Sequence, residues 1–157
     1  MNIYIFDIDG VLADLEHRLI YRKRNDFDNF YDEDIMSKDR LIAAGKELLD
    51  LMNKDGIVVY STGRPERTRK TTIEWLVKNG MPIRAMCMRK DNDFRPSPVV
   101  KLDHVWEIMK EFGESLEASR GRVYFIDDDP KNVEAVERNY ANRSIKVTGL
   151  VYGTKRF

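Results

Sequence analysis

Short apolar runs alternate along this chain with longer segments in which apolar residues recur every three or four positions. A continuous apolar run bounded by turn residues is typical of a strand buried on both faces. Spacing of three and four residues is instead typical of an amphipathic helix. The runs predict strands at residues 3–6, 57–60, 83–88, 123–126 and 145–151.

The periodic segments predict helices that separate these strands, starting near the following residues: Arg40, Pro65, Val99 and Pro130. Gly56 and Gly80 end the first two helices, and Asp129 is a good N-cap for the last. The spacing predicts that these side chains face the core: Leu41, Ala44, Leu48, Leu51, Met52, Ile73, Leu76, Val77, Leu102, Val105, Trp106, Met109, Phe112, Val133, Val136 and Tyr140.

Strands that alternate with helices of this length predict an α/β fold, a doubly wound sandwich with a central parallel sheet. We find no repeat or linker, so the pattern predicts a single domain over residues 1–157. Residues 14–39 are charged and aromatic without a clean period, and we expect a small lid or insertion there, beside the end of the first strand. The last few residues are expected to form a tail.

The composition is that of an ordinary globular protein, with 42% apolar and 34% charged residues. Lys and Arg (27) balance Asp and Glu (27), so the net charge gives no indication of a nucleic-acid or membrane partner. No apolar stretch approaches the roughly 20 residues that span a bilayer, and the N-terminus lacks a signal-peptide pattern. The single cysteine, Cys87, lies in an apolar patch, which favours a core position for it and a cytoplasmic location for the chain.

Unusual chemistry follows the predicted strands. The first ends in Asp7 and Asp9, the second in Thr62, and the fourth in Asp127 and Asp128. Each cluster alone could be a solvated turn, but the carboxyl ends of parallel strands meet at one edge of the sheet, where ligands bind. Carboxylates gathered there require a cation, and oxygen ligands favour Mg²⁺.

The remaining polar groups at this edge suit a phosphate. The Thr62 hydroxyl and the backbone N–H groups around Gly63 are possible donors, and Lys101 supplies positive charge at the start of the third helix.

This ordered set resembles the haloacid dehalogenase superfamily of Mg²⁺-dependent phosphohydrolases. Asp7-Ile8-Asp9-Gly10-Val11 resembles its first motif, Thr62 its second, Lys101 its third and Asp127-Asp128 its fourth. The match covers almost the whole chain, in the right order. It implies a Rossmann-like sheet with the first strand in the centre and a minimal or small cap.

The resemblance also implies residue roles. Asp7 would be the nucleophile that forms an aspartyl-phosphate, and Asp9 the general acid and base, with a pKa that we expect proximity to Asp7 to raise. The Asp7 side chain, the Asp9 backbone carbonyl and a carboxylate of the fourth motif would ligate Mg²⁺. We prefer Asp127 as the direct ligand, with Asp128 as a ligand or a group beside it, and Asp129 as only the helix cap.

A closer resemblance runs from residue 57 to about residue 107, to the phosphatase domain of phage polynucleotide kinases. That domain removes 3′-phosphates from nucleic-acid ends, and Arg64 matches a family arginine that helps to hold the phosphate. No G-x-x-x-x-G-K-[ST] loop is present, so we expect no kinase half. Where the family has an acidic residue four positions before the lysine, this chain has Ser97.

Basic residues cluster near the first three motifs. They could attract a phosphate backbone, or could equally be solvated charges: Arg18, Arg22, Lys23, Arg24, Arg64, Arg67, Arg69, Lys70, Arg89, Lys90 and Arg95. Phe27, Phe30 and Tyr31 could stack on a base, but we favour packing beneath a loop. His17 and His104 match no catalytic pattern, and we interpret both as structural.

Three functions are compatible with these residues. A phosphatase of nucleic-acid ends or nucleotides is favoured, because a small insertion leaves the site open to a bulky substrate. The second is a phosphatase of small phosphate esters. The third is a phospho-aspartate signalling module, since receiver domains use similar residues. However, the order of the acidic motifs along the chain and the presence of Asp9 favour an enzyme.

Overall fold

In the computed structural model, which describes residues 1–153, strands form at seven places. Within that range they are β1 (Asn2–Phe6), β2 (Ala13–Asp14), β3 (Arg40–Leu41), β4 (Gly56–Pro65), β5 (Met86–Arg89), β6 (Val123–Asp127) and β7 (Val147–Val151). Five of them form a parallel sheet in the order β5-β4-β1-β6-β7. The strand that carries Asp7 at its end is therefore central, as expected.

Helices connect the strands. They are α1 (Leu19–Lys23), α2 (Phe27–Phe30), α3 (Glu33–Met36), α4 (Ala43–Asp55), α5 (Arg69–Lys78), α6 (Ser97–Ser119) and α7 (Pro130–Tyr140). Single 3₁₀ turns at Glu16–Arg18 and Glu66–Thr68 precede α1 and α5. Asp129 caps α7 by accepting a hydrogen bond from the Lys131 backbone N–H at 3.0 Å, as predicted.

The sheet is covered on both faces. In β1, Tyr4 and Phe6 join the apolar cluster that contains Trp75 of α5, whereas Ile3 and Ile5 join the cluster that contains Val105 of α6. Alternate residues of a strand point to opposite faces, so a continuous apolar run is what a doubly covered strand requires. The predicted doubly wound α/β fold is confirmed.

Several predicted boundaries differ from the observed ones. β4 continues through residues 61–65 because its last residues still pair with β5. β5 begins three residues late, after Pro82, which has no N–H for the ladder, and after the exposed Ile83 and Arg84. α6 runs seven residues beyond its predicted end and stops at Arg120, which adopts a left-handed conformation.

Five predicted core positions are wrong. The following residues are exposed: Leu41, Ala44, Leu51, Val77 and Trp106. In α4 the buried position belongs to Leu49, and a residue two positions further along an α-helix points to the opposite side. The spacing of apolar residues identifies the apolar face of a helix, but it does not determine whether residues at the borders of that face are buried.

The predicted insertion at 14–39 consists of very short elements, which explains its lack of period. β2 and β3 close it by antiparallel pairing of Ala13 with Leu41 and of Asp14 with Arg40. Phe30 is buried there and Tyr31 packs against it, whereas Phe27 is exposed. The predicted tail lies outside the described residues. Within residues 1–153, no helix has the length and apolar character that would cross a membrane.

Helix α4 fixes the loop that follows β1. The Ile42 backbone N–H donates to the Leu12 carbonyl at 2.7 Å. Gly45 packs so closely that a Cβ added to it would lie 1.9 Å from the Val11 carbonyl oxygen. Only glycine allows this approach, and the contact holds the chain just after Asp9.

We expect Gly45→Ala to lower the free energy of unfolding by about 3 kcal/mol, because the added methyl group meets backbone that cannot rotate away. Urea denaturation measures this change. The matched control is Gly113→Ala in α6, where an added Cβ meets nothing within 4 Å. That variant should gain about 0.5–1 kcal/mol from helix propensity. Equal effects of the two substitutions would contradict the assigned contact.

Candidate active site

Lys101 lies at the point where three strand ends converge. Its Nζ donates to Asp7 Oδ1 at 2.8 Å and to the Ser61 carbonyl at 2.5 Å, and it lies 3.2 Å from Asp127 Oδ2. Neighbouring parallel strands bring the two carboxylates together, since the Asp7 backbone N–H donates to the Ile126 carbonyl at 2.8 Å. The predicted convergence of Asp7, Lys101 and Asp127 is therefore present.

Burial alone would lower the pKa of Lys101, but the Asp127 and Asp7 carboxylates outweigh that effect and raise it. The buried ammonium stays charged and tethers Asp7. Ser97 forms the first residue of α6, and Lys101 reaches Asp7 without an acidic residue at that position.

Three carboxylates face one another at this edge. Asp7, Asp127 and Asp128 each offer an oxygen within 4.8 Å of the others, and all three residues are buried. Burial raises the pKa of Asp7 well above its usual range despite Lys101, and Asp127 and Asp128 raise it further. Burial, and then the charge of Asp127, raises the pKa of Asp128 to about 7.

This group fits a divalent cation. Asp128 Oδ2 is buried and has no hydrogen-bond partner among the described residues, whereas Asn132 donates to both oxygens of Asp127 at 3.1 Å. When all three carboxylates are ionised, the single ammonium leaves two negative charges, which one Mg²⁺ would balance. Carboxylate oxygens are also the ligands that Mg²⁺ prefers.

Asp9 belongs to a different cluster. The chain turns after Asp9, where Gly10 has a φ of 84° and its N–H donates to the Ala13 carbonyl at 2.9 Å. Arg64 donates to Asp9 Oδ1 from Nε at 3.0 Å and from Nη2 at 2.6 Å. Arg18 donates to the same oxygen at 3.1 Å.

Asp39 lies behind both arginines. Arg18 holds it through two hydrogen bonds of 2.8 Å, and Arg64 Nη2 donates to it at 2.8 Å. The Arg18, Asp39 and Arg64 side chains are fully buried. We call Asp9, Arg18, Asp39 and Arg64 the arginine cluster. It places two guanidinium groups close to the three carboxylates of Asp7, Asp127 and Asp128.

The expectation for the pKa of Asp9 is wrong. Burial would raise this pKa, but the nearby charges of Arg64 and Arg18 outweigh burial, so it lies below its usual value. The motif pattern indicates only Asp7 as a neighbour of Asp9, whereas the fold also brings Arg64 and Arg18 to it. In Asp39, by contrast, burial outweighs the two arginines and raises the pKa.

Thr62 and Gly63 lie at the same sheet edge as the three carboxylates and the arginine cluster. Thr62 is buried, and its Oγ1 accepts a hydrogen bond from the Arg64 backbone N–H at 3.2 Å. A Cβ added to Gly63 would meet nothing within 4 Å, so open space lies beside the backbone at this residue. This space is where a phosphate could approach the N–H groups.

His104 lies behind the edge. Its Nδ1 is 2.9 Å from the Ser61 hydroxyl, and burial, together with the charge of Lys101, lowers its pKa to about 4. His17 Nε2 lies 3.0 Å from the Ile35 carbonyl. Both contacts agree with the structural interpretation. Cys87 is half-buried, and burial raises the pKa of its thiol to about 12, which does not suit a nucleophile.

Arg18 was expected either to attract a phosphate backbone or to be a solvated charge, and Asp39 was not singled out from the sequence. No local signal marks Asp39, because its partners belong to other elements. Other basic residues do behave as surface charges: Arg69 pairs with Glu66 at 2.6 Å and Arg95 with Asp93 at 2.7 Å.

Comparison with known proteins identifies the family. A model of the polynucleotide kinase PNKP phosphatase domain matches residues 1–147. The chain belongs to this phosphatase family. The resemblance inferred from the motifs is thereby confirmed. No curated protein matches.

Solved structures share the fold. A chain of the Pnkp1/Rnl/Hen1 complex is 21% identical, with a TM-score of 0.63, over 98% of this chain and 47% of that one. A hydrolase from Streptococcus pneumoniae TIGR4 is 14% identical, with a TM-score of 0.57, over 98% of this chain and 93% of that one. A putative beta-phosphoglucomutase from Thermotoga maritima is 17% identical, with a TM-score of 0.57, over 100% and 88%. This chain thus spans less than half the length of the matched chain of the Pnkp1/Rnl/Hen1 complex.

We expect Asp39→Asn to lower the free energy of unfolding by about 3 kcal/mol, because two buried guanidinium groups lose the carboxylate between them. Urea denaturation measures the change. The control is Asp50→Asn, which removes a half-exposed i,i+4 pair with Lys46. That variant should cost less than about 1 kcal/mol. If Asp39→Asn lowered the free energy of unfolding by as little as Asp50→Asn does, the arginine cluster would not be a stabilising network.

Saturating Mg²⁺ should raise the melting temperature by roughly 5–10 °C, because an ion bound only to the folded state stabilises it. Differential scanning calorimetry measures the shift. Asp128→Asn should lose most of it, whereas Asp50→Asn, at a distant carboxylate, should keep it. A shift that survives in Asp128→Asn would place the ion elsewhere.

Proposed function

We propose that this chain is a Mg²⁺-dependent phosphomonoesterase that removes phosphate, preferably a 3′-phosphate, from nucleic-acid ends or nucleotides. The observation that carries the proposal is the buried Asp7 carboxylate, which a lysine holds at a sheet edge beside two buried arginines. Such an edge supplies a nucleophile and phosphate-binding groups together.

In the first step an Asp7 oxygen attacks phosphorus. A bond from Asp7 to phosphorus forms as the ester bond to the leaving oxygen breaks, and Asp9 gives that oxygen a proton. In the second step Asp9 takes a proton from water, which attacks the same phosphorus. The bond to Asp7 then breaks and inorganic phosphate leaves.

The arginine cluster supports a role for Asp9. Arg64 and Arg18 hold Asp9 as a carboxylate when no phosphate is present. A bound phosphate offers these guanidinium groups a second anionic partner, which weakens their hold on Asp9 and makes protonation of Asp9 easier. Thr62, Lys101 and the N–H groups near Gly63 would bind the other phosphoryl oxygens.

The Asp7, Asp127 and Asp128 side chains, with the Asp9 backbone carbonyl, would hold Mg²⁺. When bound, this ion offsets the negative charge shared by the carboxylates and the phosphate.

The substrate class rests on the family. Its description names polynucleotide kinase, and one similar structure is described as an RNA repair complex. A second candidate is a phosphatase of small phosphate esters, which the same edge would also serve.

Asp7→Asn should abolish turnover while leaving the melting temperature within a few degrees of the wild type, because the change is nearly isosteric. Asp9→Asn should slow both chemical steps by about 10²–10⁴-fold through loss of proton transfer. Single-turnover kinetics and calorimetry measure these effects. Turnover that persists in Asp7→Asn would reject the nucleophile, and Asp50→Asn should remain fully active.

A Mg²⁺-dependent phosphatase screen tests the substrate. The panel contains DNA and RNA oligonucleotides with 3′- or 5′-phosphates, nucleoside monophosphates and small sugar phosphates. We expect the highest kcat/KM with 3′-phosphorylated ends. A higher kcat/KM with a small ester would favour the second candidate.

A further inference from the structure

Phe94 is an exposed aromatic side chain on the loop that follows β5. It is 89% exposed, more than any other large apolar side chain among residues 1–153. Phe27, the other exposed phenylalanine there, stacks against Tyr31 with ring centroids 6.5 Å apart. No ring contact involves Phe94 within that range. At this exposure the ring contributes little to the core, and its faces are open to a ligand.

The loop that carries Phe94 is held firmly on either side of it. Arg89 Nη1 donates to the Asp93 carbonyl at 2.9 Å and to the Arg95 carbonyl at 2.8 Å. The Asp93 carboxylate accepts from the Arg95 backbone N–H at 3.1 Å and from its guanidinium at 2.7 Å. Hydrogen bonds flank Phe94 on both sides, so the ring is presented with little backbone entropy left to lose on binding.

The loop lies at the same sheet edge as the candidate active site. Arg89 pairs with Pro65, the residue after Arg64, across neighbouring parallel strands. The Asp91 carboxylate accepts a hydrogen bond from the Arg67 backbone N–H at 2.9 Å, which ties the loop to the turn after Pro65. A substrate whose phosphate reaches Asp7 therefore passes close to this loop.

The charges around Phe94 suit a nucleic acid. Arg95 is offset by Asp93 and Asp103, each at 2.7 Å. Arg89 and Lys90 have no carboxylate at ion-pair distance within the described residues. Two cations that form no ion pair, beside an exposed ring, match the phosphodiester and base of a single strand.

We propose that Phe94 is a stacking platform for an unpaired nucleobase near the phosphorylated end, with Arg89 and Lys90 attracting the adjoining phosphodiesters. This inference rests on the proposed function and adds that the substrate end is single-stranded. A base inside a duplex has both faces covered by its neighbours, whereas an unpaired base can turn one face to the ring.

The test measures binding separately from turnover. Fluorescence anisotropy of a labelled, 3′-phosphorylated single strand of about ten nucleotides gives Kd in an Asp7→Asn background, which prevents hydrolysis. Adding Phe94→Ala should raise Kd about tenfold, whereas Phe94→Trp should leave it within about twofold. A strand with abasic sites near its end should bind with the same Kd to Asp7→Asn and to the double variant Asp7→Asn, Phe94→Ala. Trp106→Ala is the matched control, because Trp106 is 51% exposed on α6 and lines the surface near Tyr140.

A kinetic arm uses proteins with Asp7 intact. Phe94→Ala should raise KM for the oligonucleotide and leave hydrolysis of p-nitrophenyl phosphate unchanged, because that small ester does not reach the loop. Equal Kd values with and without Phe94→Ala would overturn the inference. So would a Phe94→Ala variant that loses as much affinity for the abasic strand as for the intact strand. Failure of the wild type to hydrolyse any 3′-phosphorylated strand would instead overturn the proposed function, while the anisotropy arm would still decide the role of Phe94.

Discussion

The contact between the Lys101 ammonium and the Asp7 carboxylate determines the arrangement of the whole sheet edge. It joins a residue at the end of the central strand to a residue in the first turns of α6, and both side chains are buried. Burial makes an unpaired charge costly at such a position, so the ammonium depends on the Asp7 and Asp127 carboxylates together. The lysine also contacts the Ser61 carbonyl and Asp127, and therefore fixes three strand ends relative to one another.

The edge divides its carboxylates into two groups with different electrostatics. Asp9 and Asp39 are matched by two arginines, so that group is close to neutral without any ligand. Asp7, Asp127 and Asp128 have only one lysine among them, so they carry excess negative charge when they are ionised. The first group therefore suits an arriving phosphate, which competes for arginines already in place. The second suits a cation, which relieves repulsion between carboxylates.

Local signals in the sequence were sufficient for the strand-end residues. Asp7 and Asp127 each follow an apolar run directly, and Thr62 follows one after Ser61. Parallel pairing brings such positions together whatever the details of the loops. The arginine cluster could not be predicted in this way. Asp39 lies in a segment of four- and five-residue helices without periodicity, and its contact with Arg64 depends on how that segment folds over β4. The pKa of Asp9 was missed for the same reason, because its dominant neighbours are these arginines.

The most direct test of this account is a crystal structure grown with Mn²⁺ in place of Mg²⁺, with the ion located by its anomalous scattering. The account predicts one strong peak in contact with carboxylate oxygens of Asp7 and Asp127, near Asp128, with Lys101 still bonded to Asp7. A peak at another place, or carboxylates that turn away from one another around an empty edge, would contradict it.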